Sequence, residues 1–209
     1  MTVIENLDHL LKDADDSDLI GLSRYLCEKI LESDPKNARV LTTYARQEIS
    51  LGQYDAAAKA LYLAERHAPP DKLKFVFSQR GHLFENMGNF ADAETWFLKA
   101  HELDPADATF LIFAGSAAFQ AGDIEKAEKY ARKAILCEKG FIDEAYFNLG
   151  GYLLSQRRYS EAKECYLKAL DIDSEYDLAK ERLEDVERII NFSPNQPVHS
   201  DRKGRAPLP

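Results

Sequence analysis

The residues able to do acid–base, nucleophilic or metal chemistry are scattered along this chain. The five histidines, His9, His67, His82, His101 and His199, include no H-x-x-x-H pair that a helix would bring to one face, and no Cys/His cluster. Surface or partly buried polar roles account for them. The three cysteines, Cys27, Cys137 and Cys165, are an odd number without C-x-x-C spacing, which fits a reducing compartment better than a disulfide framework. Cys27 and Cys165 fall among helix positions with a buried pattern, where a thiol acts as a small hydrophobe. No G-x-x-x-x-G-K-[ST] loop or G-x-S-x-G turn occurs, and the Asp/Glu-rich stretches read as solvated helix faces. No catalytic residue, no metal and no cofactor is therefore expected: the chain does not read as an enzyme.

The 209 residues are enough for one domain or two small ones with a real core. Hydrophobic residues make up 45% and charged residues 30%, an ordinary soluble balance rich in helix formers. A formal charge of −9 argues against nucleic acid as a partner, since phosphate binding needs clustered Lys and Arg. No apolar run approaches the roughly 20 residues of a membrane span. Met1-Thr2-Val3-Ile4-Glu5-Asn6 lacks the basic-then-apolar pattern of a signal peptide. The expectation is a cytoplasmic protein.

The organising feature is a repeat. Gly52-Gln53-Tyr54-Asp55-Ala56-Ala57 is echoed by Gly88-Asn89-Phe90-Ala91-Asp92-Ala93, Gly122-Asp123-Ile124-Glu125-Lys126-Ala127 and Arg157-Arg158-Tyr159-Ser160-Glu161-Ala162. Ala57, Ala93, Ala127 and Ala162 are separated by 36, 34 and 35 residues, so one helix–turn–helix unit is stacked repeatedly. First helices centre on Leu41-Tyr44-Ala45, Phe77-Arg80-Gly81, Leu111-Ala114-Gly115 and Tyr146-Leu149-Gly150; the small residue in each lets the partner helix come close. The division is a degenerate N-terminal hairpin or cap over 1–37, four units over 38–71, 72–107, 108–142 and 143–176, a capping helix over 177–190 and a disordered tail over 191–209. In the hairpin, Ala14 to Asp18 reads as the turn, and Leu19, Leu22, Leu26, Ile30 and Leu31 as the apolar side of the second helix. Arg157 stands where the other units have a turn glycine, which implies some backbone strain. At Arg80 the expectation is either that its helix sits slightly differently or that its guanidinium snorkels outward, and Pro69-Pro70 is expected to alter the angle between the first two units.

These residues resemble the tetratricopeptide repeat family, whose signature W-x2-L-G-x2-Y…A-x3-F…P is met in register by Leu111, Ala114, Gly115, Ala118 and Ala127 and again by Tyr146, Leu149, Gly150, Leu153, Ala162 and Tyr166. The resemblance implies an all-α fold, a right-handed α-solenoid with helical caps, whose first helices line a concave groove for a partner peptide or helix. Carried over to this chain, it assigns to the groove Arg39, Thr42 and Arg46 from the first unit; Phe75, Gln79, His82 and Glu85 from the second; Ile112, Phe113, Ser116, Phe119 and Gln120 from the third; and Glu144, Phe147, Asn148, Gly151 and Leu154 from the fourth. Family members that grip acidic chaperone tails use Lys, Asn, Asn, Lys and Arg at set positions. Here Thr42, Arg46, Gln79, Thr109 and Phe113 are among the residues found instead, so that carboxylate clamp is absent. Arg39, Arg46 and His82 could still read an acid at one end of the groove, or be scattered surface charge. The aromatic groove residues would suit apolar side chains of a ligand; the alternative is that they pack on the next repeat or lie under the terminal helix. The functional expectation is a non-enzymatic adaptor, scaffold or chaperone-like module, a monomer or weak homo-oligomer. The alternatives are a self-associating structural array and a regulatory subunit of an enzyme complex.

Overall fold

The computed structural model describes residues 3–192, with side chains from Asn6 onward. Among them the chain is eleven α-helices: α1 Val3–Asp16, α2 Ile20–Ser33, α3 Ala38–Ser50, α4 Tyr54–His67, α5 Leu73–Asn86, α6 Phe90–Leu103, α7 Thr109–Gln120, α8 Ile124–Ala134, α9 Ile142–Ser155, α10 Tyr159–Ile172 and α11 Asp177–Phe192. Packing runs between helices adjacent, or next but one, along the chain, and this makes the molecule an α-solenoid. The alanines that set the repeat, Ala57, Ala93, Ala127 and Ala162, are all completely buried.

Each unit turns in the same way. Gly52, Gly88 and Gly122 have φ of 72°, 75° and 86°, and Arg157 at the matching position is held at 61°. The residue after each donates its N–H to the carbonyl five residues back: Gln53 to Glu48 at 2.8 Å, Asn89 to Phe84 at 2.8 Å, Asp123 to Ala118 at 2.9 Å and Arg158 to Leu153 at 2.9 Å. That bond satisfies a carbonyl the helix leaves open, and it requires the left-handed residue before it. Arg157 obeys the geometry at the strain its side chain implies.

The N-terminal hairpin obeys it too. Asp18 has φ 52°, and Leu19 N–H bonds to Ala14 O at 2.9 Å. The turn is therefore Ser17–Leu19, and Ala14, Asp15 and Asp16, read from sequence as turn, complete α1. In this register Ser23 takes the buried alanine position. The core face of α2 is then Ser23, Leu26, Cys27 and Ile30. Leu19 and Leu22, expected on that face, are instead 51% and 47% exposed. Ser23 is satisfied in its burial: its hydroxyl donates to Asp15 at 3.3 Å and accepts from Gln47 Nε2 at 3.0 Å.

Size complementarity explains the small residues of the first helices. A Cβ added at Gly81 would lie 2.3 Å from the Phe97 ring, and one at Gly150 would lie 2.7 Å from Tyr166. In the N-terminal hairpin the sizes are reversed: the buried Leu11 faces the small Cys27 in the matching register. The conserved quantity is the filled volume between two helices, which either order supplies.

Two expectations are corrected. Arg80 does not reach outward: its guanidinium lies 4.6 Å from the Trp96 ring centre and 2.6 Å from Glu65, joining α4, α5 and α6. Trp96 offers a flat apolar face that a planar cation covers well. The segment read as a disordered tail from Asn191 begins inside α11, because Asn191 and Phe192 continue its hydrogen-bonded helix. The rest of that segment, 193–209, lies outside the described residues, as does His199 within it.

Candidate functional site

The first helices α3, α5, α7 and α9 stand side by side, α3 against α5 and α7 against α9, so their remaining faces form one surface. Two cavities open along it. The first, about 440 Å³, lies between the start of α3, the end of α4 and the start of α5. Arg39, Thr42 and Phe75 line it, together with His67, Pro69, Lys72 and Val76. Phe75 is 49% exposed, and Lys74 Nζ sits 5.0 Å from its ring centre. The opening exists because Pro69 cannot continue α4 and residues Pro70–Lys72 form a 3₁₀ turn before α5. Sequence reading linked the double proline to a change of angle and missed the cavity, whose His67 and Pro69 come from outside the first helices.

The charged groups expected at this end are occupied. Arg39 Nη2 lies 2.5 Å from Asp8 Oδ1, and Arg46 pairs with Asp15, which also accepts from Gln47 Nε2 at 3.0 Å. These arginines fasten α3 to α1, so they do not form a free acid-reading end. Thr42 turns its hydroxyl onto Ala38 O at 2.7 Å.

The middle of the surface is a bridge. His82 Nδ1 lies 3.1 Å from Glu85 Oε2, and Gln120 Nε2 donates to Glu85 Oε1 at 2.9 Å, so α5 is tied to α7. The His82 ring packs edge-on against Phe97 and Phe113, with centroids at 5.0 and 4.8 Å. Phe113 is thus half-buried packing rather than a free contact, and Ile112, 3% exposed, belongs to the core. Gln79, one turn before His82 on α5, is half-buried.

The second cavity, about 410 Å³, gathers Ser116, Phe119 and Gln120 of α7 with Phe147, Asn148, Gly151, Tyr152 and Leu154 of α9. Leu178 and Arg182 of α11 and Tyr166 of α10 complete its wall. Phe119, 39% exposed, is 5.1 Å from the Tyr152 ring, and Phe147 lies against Tyr166 and Tyr176 at 5.7 and 5.0 Å. The terminal helix therefore borders this cavity, as one of the two readings of the aromatics had it, without closing over Phe119. Glu144, one turn before Phe147 on the same face of α9, is half-buried; desolvation, with Asp143 adding to it, raises its carboxyl above the usual range.

The other reactive side chains are chemically quiet. Burial pushes the Cys27 thiol up to about 12 and Cys165 up to about 11, far from the thiolate that attacks or binds metal. His101 and Cys137 line an open recess of about 530 Å³ at the junction of α6 and α8. Desolvation lowers the imidazole and raises the thiol there, the reverse of what an imidazolium–thiolate pair needs. Among the described residues, no three His, Cys, Asp or Glu side chains gather to hold a metal, and no helix is long and apolar enough to cross a membrane.

Comparison with known proteins agrees with the geometry. Models of the tetratricopeptide repeat match residues 78–140 and 143–176. A thermophilic TPR protein of Thermus thermophilus is 19% identical, with a TM-score of 0.66 over 89% of this chain and 100% of that one. A tetratricopeptide repeat protein from Parabacteroides merdae is 17% identical, with a TM-score of 0.70 over 88% of this chain and 71% of that one. The first TPR of Spaghetti, bound to an HSP90 peptide, is 19% identical, with a TM-score of 0.53 over 56% of this chain and 95% of that one. At these identities the likeness is one of fold.

Proposed function

Because the chain is a tetratricopeptide repeat protein, we propose that it is a non-enzymatic adaptor or scaffold that holds a partner peptide or helix along the surface of α3, α5, α7 and α9. Tetratricopeptide repeats generally mediate protein–protein interactions, and proteins of this family are typically non-catalytic. The observation that carries the reading is the pair of cavities on that surface, each with a partly exposed aromatic, Phe75 in one and Phe119 in the other. Apolar sockets spaced along a rigid face suit alternate side chains of an extended peptide or the anchors of a helix. The chaperone-tail clamp is no part of this reading, since its positions hold Thr42, Arg46, Gln79, Thr109 and Phe113. A cytoplasmic setting belongs to the same proposal and suits three unpaired thiols.

The test is selection of binders from a displayed library of random peptides against the full chain, followed by titration against Phe75→Glu and Phe119→Glu. These positions are chosen over Phe113 and Phe147, which are less exposed, so that a charge there would endanger the fold more. A carboxylate in the socket should weaken binding about tenfold or more with an unchanged melting curve. Undiminished affinity in both variants refutes the reading.

A second reading, self-association, is favoured by one feature. Leu10, Leu19, Leu22 and Tyr25 are all about half-exposed on the N-terminal hairpin. Light scattering across concentrations decides: a Leu22→Glu-sensitive rise in mass supports it, and a constant monomer mass removes it.

A further inference from the structure

The family register gives the surface five ionisable positions: Arg39, Arg46, His82, Glu85 and Glu144. The first four are engaged within the molecule, Arg39 with Asp8, Arg46 with Asp15, and His82 with Glu85, which Gln120 also holds. Glu144 has no ion pair or hydrogen bond to its carboxylate among the described residues. It is nonetheless half-buried, one turn from Phe147 and Asn148, which line the cavity of about 410 Å³. A carboxylate withdrawn from water without a counter-charge is destabilised, and burial has already raised its proton affinity, with Asp143 next to it reinforcing the effect. A cation from outside would restore what burial removes. Among the described residues the cation that lines the cavity is Arg182 of α11, which is paired with Asp185 at 3.5 Å. Arg182 disfavours a second cation beside it, and it makes no ion pair with Glu144.

We infer that the second cavity and Glu144 together select a partner peptide that carries a lysine or arginine two residues from a large apolar side chain. The apolar residue seats between Phe119, Phe147 and Leu154, and the cation meets Glu144. The spacing follows from geometry: one turn of α9 is about 5.4 Å, and same-side residues of an extended peptide are roughly 6.6 Å apart. This rests on the groove reading above and gives it a charge sign, opposite to that of an acidic-tail binder.

The library selection tests it with further arms. Peptides recovered on the full chain should be enriched in Lys or Arg two positions from Leu, Ile, Phe or Met. Changing that cation to glutamine in a fluorescein-labelled recovered peptide should weaken binding about tenfold, and Glu144→Gln should do the same for the parent peptide. The two changes together should cost no more than either alone, which a merely structural role of Glu144 would not produce. Recovered peptides without a cation preference, or affinity within twofold in Glu144→Gln, overturn the inference. If Phe119→Glu still abolishes binding in that case, the groove reading stands and only the charge assignment falls. If replacing Arg202, Lys203 and Arg205 by alanine instead raises the peptide's affinity about tenfold, the occupant is the chain's own basic terminus, and a separate cationic partner is overturned.

Discussion

At the residue scale the fold depends on pairs of positions whose volumes must sum correctly. Gly81 faces Phe97 and Gly150 faces Tyr166, while Leu11 faces Cys27 with large and small exchanged. Gly81→Ala should therefore lower stability despite alanine's better helix propensity, by about 1–3 kcal/mol from overpacking against a ring that is wholly buried. Urea denaturation would show it as a reduced midpoint with an unchanged slope. Arg157 is the converse case, a side chain on a left-handed backbone with open solvent around it. Arg157→Gly relieves about 1–2 kcal/mol of local strain and gives back part of that through the entropy of a freer unfolded chain. A net gain of about 0.5 kcal/mol, seen as a melting point higher by about 1–2 °C, is the expected outcome.

At the scale of elements, the junctions between units are held by polar contacts as much as by apolar ones. Asp104, just past α6, receives Lys139 at 2.8 Å and Lys74 at 2.6 Å, so one carboxylate joins the loop after α8 to the start of α5. Beside it Ala108 N–H bonds to Lys139 O at 2.9 Å. The hydrogen bonds from Lys139, then Lys74, hold the Asp104 carboxyl below the usual aspartate range. A carboxyl depressed in the folded state contributes stability above its unfolded pKa, and that contribution is lost as pH falls through the folded value. Asp104→Asn should hence lower the denaturation midpoint at neutral pH and flatten its decline below about pH 4, where ordinary aspartates protonate. Equal pH profiles for the two proteins would show that the lysines contribute nothing through this group. Pro105 stops the helix, since proline cannot continue one; that Asp104 beside it also collects one lysine from its own unit and one from the next depends on the stacking angle.

At the scale of the whole molecule, helices pack on neighbours in sequence, so a local defect should remain local. Arg24 in α2 pairs with Glu48 of α3, whose carboxylate is almost completely buried. Arg24→Ala strands that carboxylate at the seam between the N-terminal hairpin and the first full unit. Hydrogen exchange in α1 and α2 should accelerate about tenfold, with α9 and α10 unchanged. Acceleration along the entire chain would mean that the array unfolds as one cooperative body. The same linear build explains why the candidate surface divides into two cavities with a bridge between them: the Pro69-Pro70 junction opens one, α11 walls the other, and His82, Glu85 and Gln120 tie the units between.

The amino-acid order determined the repeat, its period, the helix pairs and the buried alanines, because each depends on spacing along a helix whose periodicity is fixed by the backbone itself. It also determined that Arg157 would stand in a strained turn. The status of the aromatic and charged surface residues was decided only by the tertiary structure. Ile112, Phe113, Phe147 and Phe119 share one sequence pattern, yet the first is core, the next two are packing and the last is partly open. Arg39 and Arg46 look free until α1 brings Asp8 and Asp15 to them, and Glu144 looks ordinary until the other ionisable positions find partners. Local periodicity says which way a side chain points; only the stacked neighbour decides what waits there to meet it.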